Sequence, residues 1–174
     1  FGVTNAADWL KVSGAISGAQ PLTKTGLGTL ELAGANTYSG ATTINAGTVR
    51  LGAANAVPNA SNLLVNGGRF DLDTFDDTVA SVSLTSGTIS GSGKLTGATY
   101  GLAGGRVSAN LGAGTVTITG NAALDGTSDA TLLNLNAGSL VLGAANRFTA
   151  ALAVTGSSGA SVSLGGAEAF GSLA

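Results

Sequence analysis

A short unit, Gly-x-apolar-x-apolar, returns along the chain, and its spacing constrains the fold more than any other feature. It begins at Gly28 (GTLEL), Gly47 (GTVRL) and Gly68 (GRFDL), with weaker copies at Gly87 (GTISG), Gly105 (GRVSA) and Gly138 (GSLVL). The first intervals are 19, 21, 19 and 18 residues. The interval from Gly105 to Gly138 is 33, room for two shorter turns, with GTVTI at Gly114 between them. Apolar–polar alternation is the period of a strand with one buried face. A strand of four or five residues cannot bury that face by itself. A period near 20 residues solves the problem by stacking turn on turn, so that neighbours cover one another.

Two or three short strands per turn fit the local spacing: TLEL then ATTINA, TVRL then NLLVNG, RFDL then VASVSL. Further alternating triplets stand at Val82-Ser83-Leu84, Val116-Thr117-Ile118, Leu140-Val141-Leu142 and Val162-Ser163-Leu164. Gly, Asn, Ser and Ala fill the gaps, as turns require. Helical periodicity is poor, because Gly interrupts every window of helix length. A longer echo pairs NAGTVRLGAAN (Asn45 to Asn55) with NAGSLVLGAAN (Asn136 to Asn146), identical at eight of eleven positions with an offset of 91. The pattern predicts an all-β chain, a parallel β-helix of about 19–21 residues per turn, forming a single unit over residues 1–174. Leucine-rich repeats share the period but need a Leu frame and an Asn step that these turns lack. A β-sandwich accounts for short strands but less well for the period.

If Gly28, Gly47 and Gly68 open equivalent strands, Leu30, Val49 and Phe70 stack inward. Glu31, Arg50 and Asp71 then form an outward column alternating in sign. Turns would lie about 4.8 Å apart.

Composition removes much chemistry. Cys, Met and His are absent, so thiol–imidazole catalysis and the common zinc sites are excluded. Only 9% of residues are charged, with a net charge of -2, while Thr (21), Ser (17) and Asn (12) supply the polarity. Nothing is basic enough to neutralise a run of phosphates, so nucleic acid is not an expected partner. No apolar run reaches about 18 residues, the length of a spanning helix. The chain starts at Phe1 without Met or a leader and reads as a segment of something longer.

Residues 22–52 read LTKTGLGTLELAGANTYSGATTINAGTVRLG. This stretch resembles the passenger-associated transport repeat, also called the autotransporter-associated β-strand repeat. The matching elements are Gly26, Gly28 and Leu30 in GxGTL, Asn36, Tyr38 and Gly40 in ANTYSG, Ile44 in TTI, and Gly47, Val49 and Leu51 in GTVRLG. The resemblance implies a type V secretion passenger: a long right-handed extracellular β-helix, followed in the parent protein by an outer-membrane β-barrel. In the family the repeat is associated with efficient passage and folding. It carries no catalytic or cofactor-binding residues. A disulfide-free chain of weakly stable rungs suits threading through a pore and folding outside, each rung templating the next.

Candidate sites are few. Asp71, Asp73, Asp76 and Asp77 hold four of the nine acids within seven residues, with Asp71 and Asp73 expected on one strand face. Ca²⁺ would accept such oxygens, but the spacing is neither an EF-hand loop nor a GGxGxD nonapeptide repeat, and a solvated turn is the plainer reading. Asp71, Asp73 and Arg69 also sketch a polysaccharide-cleaving site, a third and weaker reading. Asn36, Asn45, Asn55, Asn66, Asn136 and Asn146 read as turn residues that tolerate a left-handed backbone. Tyr38 is expected to fold back over its rung. Trp9 and Phe1 precede the repeats and suggest an interrupted upstream coil. Gly26, Gly28 and Gly34 sketch a phosphate loop, but no helix follows.

The functional expectation is a non-enzymatic stalk segment of an autotransporter passenger at the bacterial surface, promoting its own export and folding. Its expected partners are the rest of the passenger and the C-terminal barrel. The alternative is an adhesive module whose Thr, Ser and Asn ladders contact host glycans or a second copy.

Overall fold

The structure, a computed structural model, describes residues 1–143, 147–154, 159–164 and 169–173. Among the described residues are 17 strands and no helix. Every strand pairing is parallel. The chain winds as a β-solenoid, each strand pairing with the equivalent strands of the turns below and above.

One wall is built by Trp9–Val12, Thr29–Leu32, Thr48–Leu51, Arg69–Asp71 and Thr88–Ser90, and continues to Ser139–Leu142 and Ser161–Leu164. A second wall is built by Leu22–Lys24, Thr42–Ile44, Asn62–Val65 and the strands that follow them. A shorter third wall pairs Asp77 with Leu95 and Leu95 with Leu111. The 14-residue strand Lys94–Val107 bends through all three walls. The upstream coil expected around Trp9 is a regular turn, with Leu10 in register with Leu30.

Alternation drives the interior. Leu30, Val49, Phe70, Ile89, Val107, Leu124 and Leu142 form one continuous buried column. Ile44, Val65, Leu84, Leu102, Ile118 and Leu135 form a second. The expected register of Leu30, Val49 and Phe70 is therefore present, with Glu31, Arg50 and Asp71 paired in the next column.

Three details differ from expectation. Successive members of the first column are 19, 21, 19, 18, 17 and 18 residues apart, so coil length drifts beyond 19–21. The 33-residue interval does hold two short turns, but Gly138 is displaced: Leu142, four residues after it, joins the column that Leu30 enters two residues after Gly28. The corner between the two walls causes this. Four residues separate Ile44 from Val49, five separate Ile118 from Leu124, and six separate Leu135 from Leu142. The shift of two keeps the in–out alternation intact. Finally, the strand at Phe70 ends at Asp71, so Asp73 lies in the following turn with φ 55° instead of on the strand face. Asn146, the last residue of the long echo, lies outside the described residues.

Candidate functional site

The repeat-like segment occupies two strands of each main wall: Leu22–Lys24, Thr29–Leu32, Thr42–Ile44 and Thr48–Leu51. Leu30, Ile44, Val49 and Leu51 are fully buried. Gly26 and Gly28 form the corner before Thr29, where the Leu27 and Gly28 N–H groups donate to the Thr4 and Val3 carbonyls. Gly47 repeats that corner one turn later, with φ 66°, and a Cβ there would fall on the carbonyl oxygens of Gly26 and Gly28. At Gly40 a Cβ would strike the backbone of Pro21. These glycines are where adjacent turns touch backbone to backbone.

The ANTYSG block forms a polar corner inside the coil. Asn36 is 6% exposed. Its Oδ1 accepts the Ile16 N–H at 2.7 Å, and its Nδ2 donates to the Ala56 carbonyl at 2.7 Å. It thus ties three turns together, an inward role instead of the expected left-handed turn. Of the five singled-out asparagines among the described residues, Asn55 has a positive φ, at 50°. Tyr38 is also inside, its hydroxyl 2.6 Å from Thr42 Oγ1. Burial pushes its pKa up to about 12. Thr42 continues to Ser61, 3.3 Å away, and Ser61 donates to the Gly40 carbonyl. A hydroxyl chain therefore replaces apolar packing where the coil turns the corner, and every link joins neighbouring parts of the stack.

Lys24 escaped sequence reasoning. It sits at the start of the Ile44 column and is fully buried. Its Nζ donates to the carbonyls of Thr25 (2.8 Å), Gly26 (2.7 Å) and Ala46 (3.3 Å). Burial lowers its pKa. The ammonium gathers carbonyls that the tight glycine corner leaves facing inward. Aligning LTK with TTI would have placed it inward, which general residue preferences argue against.

The four clustered acids do not converge. Asp71 faces Arg69 at 3.4 Å and accepts the Asp73 N–H. Asp73 pairs with Arg50. Asp76 accepts the Lys94 N–H at 2.7 Å. Asp77 points into the core and is 1% exposed. Among the described residues no group of three or more acidic side chains is placed to hold a metal ion. Arg69 also donates to Ser90, so the sketched Arg–Asp site is a surface ion pair. In the outward column Glu31 pairs with Lys11 at 2.8 Å, and the ring of Trp9 lies under the Arg50 guanidinium, 5.4 Å from ring centre to Cζ. Charges there neutralise one another within the wall.

On the outside of the coil, side chains pair along the axis. Asn66 donates to Asn45 at 3.0 Å, and Ser81 to Asn62 at 2.8 Å. Asn110 accepts from Thr127, and Asn121 from Ser139. These exposed amides serve as rung-to-rung ties. Among the described residues these groups bond to one another and to the backbone, turn to turn. The chemistry is that of a stack: each turn presents donors, acceptors and apolar knobs to the next.

Residues 22–51 match the family model described as the passenger-associated transport repeat. The chain is also 40% identical over 121 residues to the adhesin BmaC autotransporter of Brucella suis biovar 1 (strain 1330). That match spans 68% of this chain and 4% of the relative. No solved structure matches.

Proposed function

For a chain that carries a transport repeat of autotransporter passengers, we propose the role of a stalk segment that helps its own passenger leave the cell and fold at the surface. It is secreted to the cell surface as part of that passenger, with the parent's outer-membrane barrel as its route. The observation that carries the reading is the placement of residues 22–51. The repeat supplies whole strands and the corner glycines Gly26, Gly28, Gly40 and Gly47, and its matching residues pack or tie turns together. A segment whose parts all serve stacking acts by templating: a folded turn exposes an edge on which the next settles, and folding outside draws the chain outward.

The test compares two changes in the parent protein. Deleting residues 28–46 removes one 19-residue coil and leaves Gly47 where Gly28 stood, so the flanking turns keep register. Leu30→Asp puts an unpaired carboxylate into a fully buried position between Leu10 and Val49. Passenger exposed on intact cells, normalised to barrel in the membrane, should fall more for the point change than for the deletion. Normal display of Leu30→Asp would leave the segment a passive spacer.

A second reading, adhesion by the wall itself, draws on the relative's description as an adhesin. It predicts that replacing Asn45 and Asn66 by Ala weakens attachment while display stays unchanged. The stalk reading predicts no loss of attachment.

A further inference from the structure

Asn36 and Asp77 are built alike and finish differently. Asn36 Oδ1 takes an N–H from Ile16, 20 residues back, and its Nδ2 gives a hydrogen bond to Ala56, 20 residues on. Asp77 Oδ2 takes the N–H of Val57, again 20 residues back, at 3.1 Å. Its Oδ1 has no partner, although the residue is 1% exposed. Above it, in register, stands the fully buried Leu95, and above that Leu111. An ionised carboxylate can only accept, whereas a protonated one carries a donor and has the outline of an amide.

We propose that the solenoid closes over Asp77 with a proton bound, the neutral carboxyl standing in for an amide such as Asn36, so that the boundary between the Val57 turn and the Leu95 turn is a pH-sensitive joint. The joint is tight in mild acid and loosens as pH rises. It exists whether or not the segment assists export.

The electrostatics agree in sign. Burial pushes the Asp77 pKa up to about 7, against the downward pull of the Val57, Ala56 and Thr78 N–H groups. The native state therefore keeps a proton that the unfolded chain releases near pH 4. Its contribution to stability is complete below that value, declines between about pH 4 and 7, and stays low above. Of the groups around it, Tyr38 stays neutral across this range. Asp76, its chain neighbour, bonds the Lys94 backbone, and the Lys94 ammonium is held by Asp129 at the surface. Tyr100, on the strand above, donates its hydroxyl proton to Leu95 O, and burial raises its pKa. No cation among these reaches Asp77 to stabilise its charge.

The experiment has two arms on the 174-residue chain. Carboxyl ¹³C shifts, assigned through the backbone, follow Asp77 directly in the unmodified protein. A midpoint near 7 is expected, and a midpoint at or below about 4 overturns the proposal. Urea unfolding of wild type and Asp77→Asn across the same range supplies the second arm. The ratio of their unfolding constants should rise about tenfold per pH unit between about pH 4 and 7, then level off. A ratio that stays constant with pH overturns it. Should Asp77→Asn fail to fold, the wild-type titration decides alone.

Discussion

Phe70 and Arg50 are neighbours in adjacent turns and show what a single side chain contributes here. Phe70 is fully buried between Val49 and Ile89. Phe70→Ala should cost about 3–5 kcal/mol, since fixed turns above and below cannot collapse into the gap. Arg50 lies half-exposed with an Asp73 partner. Arg50→Ala should cost under about 1 kcal/mol, as exposed ion pairs do. Chemical denaturation of both variants checks this, and equal losses would mean the strand faces are inverted. Both assignments were legible from alternation alone. Lys24 and Asp77 were not. Each occupies an inward register position that apolar residues fill in other turns, so a reading by residue type places it outside. What holds them is the carbonyl-lined corner and the Val57 N–H, and of these groups the Ala46 carbonyl and the Val57 N–H come from turns 22 and 20 residues away.

Strands in this chain were easier to read than the corners that join them. A strand announces itself by period two, and each alternating triplet except that at Phe70 lies wholly within a strand. A corner has no such code. Its length varies by one or two residues without reversing the faces, which is why Gly138 looked equivalent to Gly28 and is not. Glycine marks those corners that bring turns into backbone contact. Gly47→Ala should therefore cost more than the roughly 1–2 kcal/mol of a left-handed alanine, because its methyl also meets two carbonyls of the turn below. Hydrogen exchange should localise the damage, with protection lost first across the pairing of Thr29–Leu32 with Thr48–Leu51. Uniform loss over the whole chain would argue against a local corner effect.

At the scale of the molecule, every described strand pairs with strands about one turn away. Stability should then accumulate interface by interface. A chain ended after Leu124 should keep its parallel β signature, with a smaller urea m-value in proportion to the surface it no longer buries. Complete unfolding of that shorter chain would show cooperativity reaching further than adjacent turns. This architecture was the most legible part of the sequence, because the period repeats the same statement many times. The register by which residues 28–46 should drop out without disturbing their neighbours has a hereditary side as well. Copying errors that add or remove one coil's worth of codons leave a lineage with a longer or shorter rod and the same packing rules. Rod length can thus drift between generations, open to selection, while errors that reverse the faces of a strand meet a closed door.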